Sequence, residues 1–178
     1  VPVNEPTLPS PQFALADGTM VEAGPLLDDD LESGFALPLA ADKSGMLTIT
    51  YPEAVTIRTL NLSLPGLIRP FRSPPIVPLL EMRTADGWEL VGEIELTNAP
   101  NTLAFDPVTA SEFRLRIIEN PNIVPPTEMD GAPGAVAMDV FAVGDMSTIS
   151  LNQFELSGAH RLDRSQVKAG FSGVYDYY

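Results

Sequence analysis

The sequence predicts an all-β protein, an antiparallel sandwich, on three observations. Apolar and polar residues alternate along several short runs, and β-branched residues crowd those runs. Pro occurs 18 times and Gly 13 times, which breaks the chain too often for long helices. A parallel α/β arrangement is excluded on the same ground, since its crossover helices have nowhere to sit.

The predicted strands follow in order. Residues 46–51 alternate, and residues 55–63 alternate over nine positions, as a half-buried strand requires. Further strands are expected at 76–83, 88–96, 103–105 and 112–118, the last with Phe113, Leu115 and Ile117 on one face. Residues 135–143 and 149–156 complete the set. Two proline-rich loops, 65–78 and 120–134, are expected to run over the surface, where function often resides. Apolar residues of the first, Leu67, Ile68, Phe71 and Ile76, are expected to supply a contact patch for a neighbouring domain.

Composition narrows the function. A formal net charge of −14 repels phosphate backbones and anionic lipid, so no nucleic-acid or membrane partner is expected. The apolar fraction of 44% is that of a globular chain, and no apolar run reaches the roughly 18 residues of a membrane span. Without cysteine there is no disulfide, thiolate metal site or cysteine nucleophile. His160 is the one histidine, so multi-histidine metal chemistry is excluded as well. Gly-x-Ser-x-Gly elbows and glycine-rich phosphate loops are absent. Glu93 and Glu95 form no cleft, because they alternate along one strand and share its face.

Four patterns in a fixed order carry a resemblance. Leu27-Asp28-Asp29-Asp30-Leu31-Glu32-Ser33 is an acidic loop. Residues 47–57 read as a strand, a short turn at Pro52 and a second strand. Glu81 to Trp88 is a strand ending in Asp86-Gly87 and a tryptophan. Residues 105–117 reach Phe113-Arg114-Leu115-Arg116. With the closing run Ile149 to Leu156, these resemble the discoidin (coagulation-factor C-type) branch of the galactose-binding-like sandwiches, over residues 20 to 157. That resemblance implies a jelly-roll sandwich. The segments Leu156 to Leu162 and Lys168 to Phe171 are similar to the exit from the discoidin-like module of modular α-L-rhamnosidases. This chain departs from the family pattern in Asp29, which replaces a glycine, in lacking a cysteine pair, and in its enlarged loops.

The resemblance implies site residues. Asp28, Asp30, Ser33 and Glu155 correspond to the family's structural calcium site, where carboxylates and carbonyls surround a hard Ca2+ ion. The plainer reading is a solvated acidic turn that caps its own backbone. Trp88 is expected in the core between the sheets, with a sugar-stacking platform as the other reading. Phe71 and Phe35, with Arg69 and Arg72, are the candidate ligand-binding residues, an aromatic beside guanidinium donors suiting a sugar. Against that stands a loop phenylalanine that merely pins the loop down.

The expected organisation is a linker or edge segment at 1–19, the sandwich at 20–158 and a segment leading to a next domain at 159–178. The Val1 start and aromatic end suggest a piece of a longer secreted or periplasmic protein, monomeric as excised. The expected function is that of a non-catalytic accessory or carbohydrate-binding module of a glycoside hydrolase, rhamnosidase-like, acting on plant polysaccharide. Its partner is then carbohydrate or the catalytic domain. A small carboxylate-dependent glycoside hydrolase and a calcium-dependent adhesion module are the alternatives.

Overall fold

The computed structural model describes residues 7–28, 30–68, 73–96, 100–122 and 146–159. Within them the chain is almost wholly antiparallel β, in two sheets that share one apolar core. The strands are β1 (Gln12–Leu15), β2 (Met20–Val21), β3 (Phe35–Pro38), β4 (Gly45–Ser63) and β5 (Ile76–Thr84), followed by β6 (Gly87–Glu93), β7 (Asn101–Glu119), β8 (Thr148–Leu151) and β9 (Gln153–Ser157). A single helical turn, α1 (Gly24–Leu27), packs against β9 and buries Leu26.

The main sheet runs β2-β1-β4-β7-β5-β6, with β9 pairing the second half of β4. The small sheet is β3-β8. Leu47 and Ile49 of β4, Phe113, Leu115 and Ile117 of β7, and Leu80 of β5 turn inward, meeting Leu37 of β3 and Ile149 and Leu151 of β8. Alternation accounts for this, because successive residues of a strand point to opposite faces. Phe13 and Phe154 meet edge to face at 6.2 Å, as do Tyr51 and Phe113 at 6.3 Å.

Several expectations change. The turn expected at Pro52 is a register shift inside one 19-residue strand. Both halves of β4 pair with β7, Leu47 opposite Leu115 and Leu60 opposite Leu103. Pro52 cannot donate to a ladder, and it sits where the ladder slips. Residues 103–105 and 112–118 likewise merge into β7. Conversely, the run 149–156 divides at Asn152. Its first half joins the small sheet and its second the main sheet, so this strand crosses between layers.

Asn152 holds that crossing. Its backbone N–H donates to the Ser63 carbonyl at 2.9 Å, and its side-chain amide donates to the Leu31 carbonyl at 2.6 Å. The Ser150 hydroxyl donates to its Oδ1 at 2.5 Å. Gly34 lies directly against it, since a Cβ there would meet Asn152 Oδ1 at 2.6 Å.

Within the segment 1–19, residues 12–15 form β1, and Phe13 is buried. In the loop 65–78, Leu67 and Ile76 are buried and Ile68 packs against the core. These three therefore serve this domain's own interior, which corrects the expectation of an outward apolar patch. Residues 135–143 and His160 lie outside the described residues.

Candidate functional site

The acidic loop after α1 brings Asp28, Asp30 and Ser33 together. The Asp30 backbone N–H donates to Asp28 Oδ1 at 2.9 Å, and the Glu32 N–H donates to Asp30 Oδ1 at 2.9 Å. These are Asx turns, in which a short carboxylate satisfies its own backbone. The Ser33 hydroxyl donates to Asp28 Oδ2 at 2.7 Å and approaches the Asp30 carbonyl at 3.1 Å.

Glu155, the fourth residue of the expected set, lies on β9 and takes part in a network that runs across the main sheet. Thr102 of β7 donates its hydroxyl to Asn61 Oδ1 at 2.7 Å, and Asn61 Nδ2 donates to Glu155 Oε2 at 3.2 Å. One polar line thus crosses β7, β4 and β9. Calcium takes six to eight oxygens, commonly from several carboxylates. Among the described residues no three His, Cys, Asp or Glu side chains gather to hold a metal. The loop thus bonds in part to its own backbone and to the Ser33 hydroxyl, while Glu155 accepts from Asn61.

Beside this loop lies a pocket of ≈ 280 Å³. Tyr51, Glu155, Ser157, Ser10, Phe13 and Leu27 contribute to its wall. Burial, and then the negative charge of Glu155, push the Tyr51 phenol up to about 12. At neutral pH it keeps its proton and can donate. The pocket therefore offers apolar and aromatic surface, a phenol donor, serine hydroxyls and a carboxylate acceptor. That mixture suits a small polyhydroxylated ring, which presents an apolar face and a rim of hydroxyls.

A second cluster occupies the outer face of the main sheet, opposite the core. Register places Met20, Ala14, Thr48, Arg114, Glu81 and Leu90 in one row across six strands. Trp88 pairs with Arg83, two residues along, and so faces outward with Glu81. It is half-buried on this outer face, which corrects the expectation of a core tryptophan. The Arg114 guanidinium lies 4.3 Å from the indole centroid and that of Arg83 5.4 Å.

Glu81 is buried beneath these arginines. Arg114 Nε donates to one of its oxygens, and Arg116 approaches the other at 3.0 Å through Nε and 2.9 Å through a terminal nitrogen. Burial raises the Glu81 pKa, but the hydrogen bonds and charges of Arg114 and Arg116 outweigh it and hold the carboxyl below its usual range. The sequence carries every one of these residues. What it lacks is the register that unites them.

Phe35, expected on the surface, lies on β3 and packs partly against the core. It opens the β3–β8 ladder opposite Leu151 and shares a face with buried Leu37, two residues on. Phe71, Arg69 and Arg72 lie outside the described residues.

Architecture and topology define the class: an antiparallel β-sandwich, consistent with the discoidin-like resemblance of the sequence. The solved structures similar to it include a rhamnosidase from Novosphingobium sp. PP1Y, at 27% identity and a TM-score of 0.64. That alignment covers 94% of this chain and 13% of the rhamnosidase, so this chain spans a small part of its relative. A fucosidase from Ruminococcus gnavus aligns at 14% identity and a TM-score of 0.51, over 85% of this chain and 25% of its own. Chitosan-binding module 1 of a chitosanase/glucanase from Paenibacillus sp. IK-5 aligns at 13% and 0.50, over 88% and 96%. The last two speak for the fold alone. No protein-family model matches the chain, and no curated protein aligns with it.

Proposed function

We propose that this chain is a non-catalytic accessory domain of a longer, extracellular glycoside hydrolase of the rhamnosidase type, with a carbohydrate-binding role. The alignment of nearly the whole chain with a 13% slice of a rhamnosidase carries this reading. A domain of that size, embedded in a much larger enzyme, positions substrate or supports the catalytic domain. The pocket beside Tyr51 and Glu155 supports the binding role, because it combines a ring-sized apolar wall with a phenol donor and a carboxylate acceptor.

The chemistry of the pocket favours binding over hydrolysis. Glycoside hydrolysis uses two carboxyl groups flanking one bond. Of the described residues in the pocket wall, Glu155 is the one carboxylate, and it accepts from Asn61. A calcium staple between the acidic loop and β9 forms no part of this reading. Among the described residues no helix is long and apolar enough to cross a membrane.

Isothermal titration of the purified chain against rhamnose- and galactose-containing plant oligosaccharides tests the reading, run beside an assay on an aryl rhamnoside. Saturable heat that falls in Tyr51→Phe, with no turnover, is the expected result. Turnover by the isolated chain, lost in Glu155→Gln, would replace this reading with the hydrolase.

A further inference from the structure

Arg83, Arg114 and Arg116 are three of the ten cationic residues in a chain of net charge −14, and all three share one sheet face. Such crowding is costly unless something holds the charges apart or uses them. Glu81 accounts for two of them, clamping Arg114 and Arg116 from below. Trp88 accounts for the orientation of Arg114 and Arg83, its indole drawing both guanidinium groups. What remains is Arg83. It is exposed, and it forms no ion pair among the described residues. Glu112 precedes Arg114 by two residues and Glu93 pairs with Leu79, yet neither forms an ion pair with these arginines.

Beside these charges the face also presents apolar surface. Leu90 is 56% exposed, directly opposite Glu81, and Trp88 lies two residues away on the same strand and face. A guanidinium fork with unused donors, held by an indole and bordered by leucine, matches one chemistry closely. The fork accepts a carboxylate in two parallel hydrogen bonds. The apolar border accepts the flat face of a pyranose ring.

Resting on the accessory-module reading, we infer that this outer face is a second binding site, for a sugar that bears a carboxylate, that is, a uronic-acid unit of an acidic polysaccharide. Arg83 receives the carboxylate, Trp88 and Leu90 border the ring, and Arg114 supplies the second positive charge. Glu81 is a positioning residue that acts through Arg114 and Arg116. The site is separate from the pocket of Tyr51 and Glu155, which offers a carboxylate of its own and so repels an acidic sugar.

The test is a calorimetric titration of the whole chain with oligogalacturonate and with a neutral galactose oligomer of equal length, at low and high salt. The acidic oligomer is expected to bind about tenfold more tightly, and its affinity to fall as salt rises. Arg83→Ala is expected to abolish that preference while lowering the melting temperature by no more than ~1–4 °C, since only an exposed cation–π contact is lost, and Arg83→Lys to restore only part of the preference. Tyr51→Phe is expected to leave oligogalacturonate binding unchanged. Equal affinity for the two oligomers, or an Arg83→Ala protein that keeps the preference, overturns the inference while leaving the accessory-module reading in place. Aryl rhamnoside turnover by the isolated chain would instead remove that reading, whatever the sugar titrations give.

Discussion

Replacing Glu81 with Gln removes the negative charge on which two arginines converge, and keeps the side chain's size and one acceptor oxygen. Glu81 is 5% exposed, whereas the side chains of Arg114 and Arg116 are 18% and 41% exposed. Breaking a fully buried pair costs roughly 3–5 kcal/mol, because it strands a desolvated charge. Here the stranded charges retain part of their hydration, and the Gln oxygen still accepts a bond, so the expected loss is about 2 kcal/mol. For a domain of this size that lowers the melting temperature by ~4–8 °C.

The pH dependence gives the same substitution a second readout. The folded-state pKa of Glu81 is depressed below 4.5, so its contribution is complete above that value. It is lost as pH falls from there through the lower folded value. The wild-type chain is therefore expected to lose stability over that acid window more steeply than Glu81→Gln, and the two curves to converge at low pH. Thermal melts followed by circular dichroism at neutral pH and through the acid range measure both effects. An unchanged melting temperature at neutral pH, with parallel acid profiles, would refute the view that Glu81 organises this face.

Two further outcomes rest on other parts of the fold. Tyr51 is expected to ionise only near pH 12, so Tyr51→Phe should remove a step near that pH from the absorbance titration at 295 nm. Because its folded pKa is raised, Tyr51 stabilises fully below pH 10 and ceases to do so as pH climbs towards 12, provided the wild type loses stability in that window and Tyr51→Phe does not. Gly34→Ala drives a methyl into the Asn152 side chain and is expected to cost about 1–3 kcal/mol by urea denaturation. Combined with Asn152→Ala it should cost less than the sum of the single changes, and strict additivity would show that the two side chains do not compete for the same space.

How much was legible in the sequence follows from the range over which each signal acts. Alternation is local, so residues 46–51, 55–63, 76–83 and 112–118 announced themselves as strands, and Phe113, Leu115 and Ile117 as an inward face. Residues 12–15 and 35–38 are four-residue strands, too short to display a period, and their pairing with β4 and β8 makes them strands. Asp28, Asp30 and Ser33 are near neighbours in sequence, and a short acidic loop turns on itself wherever it is placed.

The outer-face cluster had no comparable signal. Arg114, Glu81 and Leu90 are separated by many residues, and their side chains meet only because β7, β5 and β6 pair in one register. A slip of one residue would send each of them to the opposite face. Trp88 shows this most plainly: its identity favours burial, and its partner Arg83 decided that it faces outward. The sequence by itself determined the antiparallel class, the apolar interior and the acidic turn, because periodicity and composition act within a few residues. The tertiary structure alone decided that β4 continues past Pro52, that the last strand crosses layers at Asn152, and that three arginines gather around one glutamate and one indole. Each of those is a cross-strand pairing between residues distant in the chain.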